Sequence, residues 1–158
     1  MANLPKQSEC LKLFGNPNGV GWQAKNTVRV PVPWKMSMGD IPIRKIQINK
    51  IAADSLARVL TNIWNRCGQT QSAIHSAGCD CFSGSFNIRP IRGGHTASMH
   101  SYALAIDINA PANPLGAPEH ETLFKHDSLV VRAFKEEGWV WGGDWVTRRD
   151  GMHFSSPL

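Results

Sequence analysis

The sequence predicts an α+β domain in which a small, mainly antiparallel sheet packs against two principal helices. Apolar residues alternate with small or polar residues from Ala103 to Ile108, as in a strand with one buried face. In 49–67 and again in 128–137, apolar residues recur every three or four positions, as in amphipathic helices. A chain of 158 residues can bury one core but is short for two ordinary domains. We therefore expect one domain spanning 1–158.

The first 47 residues are rich in Pro, Gly and Asn, with a strong turn at 16–19 and a segment at 28–34 that prolines interrupt. This composition predicts an N-terminal arm, 1–47, made of loops and short edge strands that packs on the rest of the domain. Trp22 and Trp34 of this arm either pack over the domain or line a binding groove.

Both predicted helices have a clear end. The first should end at Gly68, and its inward positions are Ile51, Leu56, Val59, Leu60 and Ile63. The second should end at Gly138, and its inward positions are Leu129, Val130 and Phe134. Residues 139–141 then resemble a strand, and Gly142-Gly143 allows a tight turn or a close approach of the backbone to a ligand.

Composition limits the possible partners. Hydrophobic residues make up 42% and charged residues 18%, as in globular proteins, and no apolar run is long enough to cross a bilayer. The first residues lack the pattern of a signal peptide, so we expect synthesis in the cytoplasm. The net charge of +5 suits an anionic partner, but nucleic acid is not expected because basic residues are scattered.

The four cysteines are expected to be reduced thiols in that compartment. Cys79 and Cys81 are separated by a single residue, which is a poor spacing for a structural zinc site. A second metal site near His75 is therefore not expected.

Two histidines and two aspartates form the main candidate site. Asp107 alternates with Ile106 and Ile108 and so points away from the core, and His100 lies just before this strand. His153 likewise lies between Met152 and Phe154. His100, Asp107 and His153 could therefore hold a catalytic zinc ion with an open fourth position, and Asp150 is a further carboxylate three residues before His153.

The pattern Ser98-x-His100-x₄-Ala105-x-Asp107, with Trp-Gly-Gly-Asp-Trp at 141–145 and Asp150-x-x-His153, resembles the LAS metallopeptidases of family M15. The Trp-Gly-Gly-Asp-Trp sequence is most similar to the phage L-alanyl-D-glutamate endopeptidases. One departure is that the family usually has Gly where Ala103 or Leu104 stands.

This resemblance implies a hedgehog/DD-peptidase-like fold and a zinc-activated water, with Asp150 as general base. It also implies an arginine that stabilises the scissile carbonyl, either Arg89 or its substitute Arg92. Asp144 would either orient a metal-bound histidine or cap a turn. Trp145 would lie beside the site, and the loop at 109–118 would form a wall of it.

The expected function is that of an endolysin cleaving the L-Ala-D-Glu bond of the peptidoglycan stem peptide. The protein would act as a monomer and would need a holin-like membrane permeabiliser to reach the wall. A D-Ala-D-Ala carboxypeptidase and a non-catalytic zinc-binding virion protein remain alternatives, although a carboxylate such as Asp150 beside the ligands has no purpose in a purely structural site.

Overall fold

The computed structural model describes residues 2–89, 91 and 95–158 of the chain. The helices of this part are α1 (Gln7–Phe14), α2 (Trp22–Asn26), α3 (Ala53–Arg66), α4 (Gln71–Ser76) and α5 (Leu129–Glu136). Its strands are β1 (Thr27–Met38), β2 (Ile41–Asn49), β3 (Phe82–Gly84), β4 (Ala105–Ile108), β5 (Val140–Trp141) and β6 (His153–Ser155). None of these helices is both long and apolar enough to pass through a membrane.

The strands form two sheets, and every pairing within them is antiparallel. One sheet is the hairpin of β1 and β2, and the other has four strands in the order β3-β4-β6-β5. Strand β4 therefore lies inside the second sheet, between β3 and β6. The α+β architecture with small antiparallel sheets agrees with the sequence prediction.

The prediction of a loop-rich arm at 1–47 is wrong in its detail. This segment forms two helices and a long hairpin, whose strands have 12 and nine residues. Prolines are tolerated because β1 has a partner on one side only over most of its length, and because its register shifts between Pro31 and Met36. Trp22, Trp34 and Ile46 of this segment are buried in the core cluster, so the arm is part of the core.

Both predicted helices are confirmed: α5 lies within one residue of the predicted bounds at each end, whereas α3 begins four residues after the predicted start and ends one residue before the predicted end. A short 3₁₀ turn, Lys50–Ala52, precedes α3, and Gly68 follows this helix with a φ of +63°. Four of the predicted inward residues of α3 are fully buried, but Ile51 lies in the 3₁₀ turn and is 48% exposed. In α5, Val130 and Phe134 are buried as predicted.

A polar network joins α3 to the end of α5. The carboxylate of Glu137 accepts hydrogen bonds from Arg58 Nε at 3.0 Å and from Arg58 Nη2 at 2.9 Å. Trp139 Nε1 donates to Ser55 Oγ at 2.9 Å. Hydrogen bonding by the Arg58 guanidinium lowers the pKa of Glu137 more than partial burial raises it, so this pKa lies below its usual range. These contacts fix the helix pair that leads into β5.

Candidate metal centre

The four-stranded sheet places Asp107 and His153 side by side. The two residues are direct partners in the antiparallel pairing of β4 with β6, so their side chains project from the same face. Their chain neighbours Ile106 and Phe154 are fully buried on the opposite face. The alternation that predicted an outward Asp107 is therefore present in the structure.

His100 comes from the tight turns before β4. Ser101 N donates to Ser98 O at 2.9 Å, and Ala103 N donates to His100 O at 3.1 Å, so the chain folds back on itself at His100. Ala103 adopts a φ of +53°, a left-handed conformation that favours glycine. The position where the sequence departs from the M15 pattern is thus the position where the backbone would accept glycine most readily.

Side-chain atoms of the three residues converge within metal-binding distance. His100 Nε2 lies 3.3 Å from His153 Nδ1 and 3.3 Å from Asp107 Oδ2, and His153 Nδ1 lies 3.0 Å from Asp107 Oδ1. Ligands about 2.0–2.2 Å from a tetrahedral zinc ion are separated from one another by roughly 3.3–3.5 Å. The three groups therefore fit one zinc ion with a fourth position left open.

The surroundings favour the forms that bind metal. His100 Nδ1 lies 2.7 Å from Ser85 O, and donation to that carbonyl leaves Nε2 as an acceptor toward the centre. Burial by itself raises the pKa of Asp107, but the adjacent imidazoles of His100 and His153 outweigh it and hold the pKa well below its usual range. The carboxylate is thus ionised at neutral pH. No other group of three His, Cys, Asp or Glu side chains in the described residues comes together in this way.

Asp150 lies in the turn that leads into β6. Its backbone N donates to Gly142 O at 2.9 Å, and its carbonyl accepts from His153 N at 3.2 Å. A Cβ placed on Gly142 would lie 2.5 Å from Asp150 O and 3.1 Å from His153 Cβ. Of the two alternatives at Gly142, the structure has the tight turn, Gly142–Asp144, and the close neighbours of Gly142 are Asp150 and His153 of the chain itself.

These residues line one cleft of about 230 Å³. Its walls include His100, Asp107, Asp150 and His153, together with two arginines, Arg89 and Arg148, and several apolar residues. The apolar members of the wall are Ile91, Met99, Leu115, Trp145, Met152 and Leu158. One concave site therefore contains metal-binding groups, a further carboxylate and two positively charged arginines. This combination is typical of a hydrolytic centre.

A family model, Peptidase M15_4, described as D-alanyl-D-alanine carboxypeptidase, matches residues 92–156. This segment contains His100, Asp107, Asp150 and His153. The match supports an M15 peptidase. No solved structure gives a significant match to the chain.

The M15 resemblance also implied an arginine at the site. Arg89 lines the cleft, and its backbone is fixed because its N donates to Ser101 Oγ at 2.8 Å and its carbonyl accepts from Ser98 N at 3.0 Å. Arg92 lies outside the described residues. Arg148 lines the cleft as well, and the sequence reading missed it, although its position two residues before Asp150 was a usable signal.

Asp144 does not have the partner that the M15 resemblance suggested. Its carboxylate forms ion pairs with His126 Nε2 at 3.0 Å and with Lys135 Nζ at 2.7 Å. It therefore ties the turn after β5 to α5 and to the preceding loop, and neither suggested role, orienting a metal-bound histidine or capping its own turn, describes these contacts. Trp145 does lie at the site, with its ring 5.1 Å from the ring of His153.

The loop at 109–118 and the two tryptophans of the N-terminal arm were further candidates for the walls of the binding site. Leu115, from the predicted loop at 109–118, lines the cleft. Trp22 and Trp34 are buried and donate to the carbonyls of Phe14 and Cys79, and neither lines the metal-centre cleft. The four cysteines are free thiols as expected, and burial raises the pKa of Cys10 to about 11.

Proposed function

We propose that the protein is a zinc-dependent peptidase that hydrolyses a peptide bond of the peptidoglycan stem. The observation that carries this proposal is the convergence of His100, Asp107 and His153 at zinc-ligand spacing in a cleft that also holds Asp150. The M15 family match over 92–156 supports peptidase chemistry on a cell-wall substrate. A purely structural metal site has four protein ligands and no adjoining cleft.

In this proposal the three residues that converge are the zinc ligands. A bound zinc ion supplies Lewis acidity and makes water a competent nucleophile near neutral pH. His100 and His153 contribute neutral imidazoles, and Asp107 contributes one negative charge. The hydrogen bond from His100 to Ser85 O orients the ring and keeps its Nε2 lone pair directed at the centre.

Asp150 acts as the general base and then as the general acid. It lines the cleft with the ligands, and Gly142 fixes its backbone. Its carboxylate takes a proton from the attacking water and delivers that proton to the amine that leaves. Arg89 stabilises the negative charge that develops on the scissile carbonyl oxygen, since a guanidinium stays ionised and offers several donors.

For the bond, we propose cleavage between L-Ala and D-Glu. The support is the likeness of Trp-Gly-Gly-Asp-Trp at 141–145 to the phage endopeptidases. A second candidate is removal of a terminal D-Ala, which the description of the matched family model favours. Both reactions use the same metal centre and differ in where the stem peptide lies along the cleft.

Mass analysis of purified peptidoglycan digested with the protein tests the proposal. L-Ala-D-Glu cleavage releases peptides that begin with D-Glu and creates no reducing sugar ends. Release of free D-Ala alone identifies the carboxypeptidase. The Asp150→Asn variant is the matched control, because it keeps the shape of the side chain and removes the base. New reducing ends, or products that persist with this variant, would contradict the proposal.

We also propose that the enzyme acts as a monomer and reaches the wall from the cytoplasm after a holin-like protein permeabilises the membrane. Expression in bacteria tests this directly. Lysis should follow only when a membrane permeabiliser is supplied, and light scattering should give the mass of one chain. Lysis without any permeabiliser would remove this part of the proposal.

A further inference from the structure

The metal-centre cleft is the first of four depressions that share wall residues. Arg89 lines both the cleft and a second depression. Ile88 and Asn18 line the second and also a third, and Arg29 and Gln47 line the third and also a fourth. A chain of adjoining depressions thus leads from the centre to the β1–β2 hairpin.

We call this series of four adjoining depressions the track, and its far end, at the β1–β2 hairpin, is basic. Arg29 pairs with Gln47 and Pro31 pairs with Lys45 in the hairpin, so Arg29 and Lys45 project from the same face at diagonal positions. Arg44 also lines the fourth depression. All three basic side chains are exposed, and no ion pair within the described residues involves them.

No carboxylate among the described residues lines the second, third or fourth depression. The nearest acidic residue in sequence is Asp40, in the exposed turn of the hairpin. The positive charge of Arg29, Arg44 and Lys45 is therefore uncompensated along the track, and it complements an anionic ligand.

The segment 82–86 connects the fourth depression to the metal centre. Phe82, Ser85 and Phe86 of this segment line the depression. Ser85 is also the residue whose carbonyl lies 2.7 Å from His100 Nδ1. This segment thus contacts a candidate zinc ligand through Ser85 and lines the same depression as the basic residues of the hairpin.

We infer that this track binds the carboxylate-bearing peptidoglycan strand beyond the bond that is cut. The inference rests on the proposed function and extends it from one bond to a polymer. Carboxylates of neighbouring stem peptides complement the positive charge of Arg29, Arg44 and Lys45. Continuity with the cleft favours the substrate polymer over a nucleic acid or a membrane, since neither of these needs to enter the metal centre.

Co-sedimentation with purified peptidoglycan sacculi tests the track without requiring turnover. The variant Arg29→Gln/Lys45→Gln should bind about tenfold more weakly than wild type at low salt. The difference should vanish near 1 M salt, where the Debye length falls to about 3 Å. The control Lys12→Gln/Arg132→Gln removes the same charge from exposed positions outside the four depressions and should bind like wild type.

A second measurement separates this inference from the proposed function. For an active enzyme, the rate on sacculi divided by the rate on short soluble muropeptides should fall about tenfold in Arg29→Gln/Lys45→Gln and stay constant in the control. Equal losses in both variants, or none in either, would overturn the inference. Weakened binding only to anionic phospholipid vesicles or to DNA would overturn it too. An enzyme that cuts neither substrate but shows the binding difference would contradict the proposed function alone.

Discussion

Gly142 should be a sensitive position of the site although it is neither a ligand nor an acid-base group. In Gly142→Ala, the new Cβ would lie 2.5 Å from Asp150 O, about 0.9 Å closer than the 3.4 Å at which ordinary contact begins. It would also press on His153 Cβ at 3.1 Å. Because the contact at Asp150 is with backbone, the segment that carries Asp150 and His153 must move.

The size of this shift sets the expected effect. Displacement of a reacting group by about 1 Å costs roughly 100-fold in rate. Overpacking of this kind costs about 1–3 kcal/mol in the free energy of unfolding. We therefore expect Gly142→Ala to fold with a lowered Tm, to lose about 100-fold in kcat/KM on peptidoglycan fragments and to bind zinc more weakly.

Gly151→Ala is the matched control in the same turn. Its Cβ would meet the terminal Nη1 of the Arg149 side chain at 3.3 Å, and no backbone atom lies among its nearest neighbours. This variant should keep activity within about threefold of wild type, because a flexible side chain can yield. Full activity and zinc content in Gly142→Ala, or equal damage from Gly151→Ala, would refute the reasoning from steric overlap.

Three further predictions concern other parts of the molecule. Asp150→Ala should retain zinc and lose activity by about 100-fold or more, and Arg89→Ala should behave similarly, as elemental analysis and digestion assays will show; loss of zinc in Asp150→Ala would make this residue a ligand. Thiol titration of the unfolded protein should find all four cysteines, and reducing agent should leave activity intact; two or fewer thiols would indicate disulfides. Because the pKa of Glu137 is lowered by Arg58, its stabilising effect is present above the unfolded pKa of about 4.3 and is lost as pH falls through the folded value. Glu137→Gln should therefore lower Tm by a few degrees at pH 7 and by less near pH 3, and a constant difference would contradict this origin.

The sequence predicted those features of the structure that depend on residues close together in the chain. The alternation around Asp107 and the helical periods of α3 and α5 come from burial of one face, so they can be read from the sequence. The same alternation explains why Asp107 and His153 were placed on outward faces. Their direct pairing across β4 and β6 depends on strand register, which no single segment specifies.

The errors arose where distant segments determine the structure. The hairpin at 27–49 was missed because its prolines are poor strand formers, whereas a register shift and an unpaired edge accommodate them. The M15 resemblance placed Asp144 beside the site, but His126 and Lys135 bring opposite charge to it from another loop and from α5. Arg148 was overlooked because an arginine in a turn is usually a surface residue.

The measurement that most directly tests the account is the zinc content of purified wild type beside that of its ligand variants, followed by metal loading at neutral pH. We expect one zinc ion per chain in wild type and in Asp150→Asn, and loss of zinc in His100→Ala and in His153→Ala. Metal removal should also lower Tm in wild type while leaving both histidine variants unchanged. Full zinc content in the two histidine variants, or no tightly bound zinc in wild type, would contradict the metal centre and the peptidase function built on it.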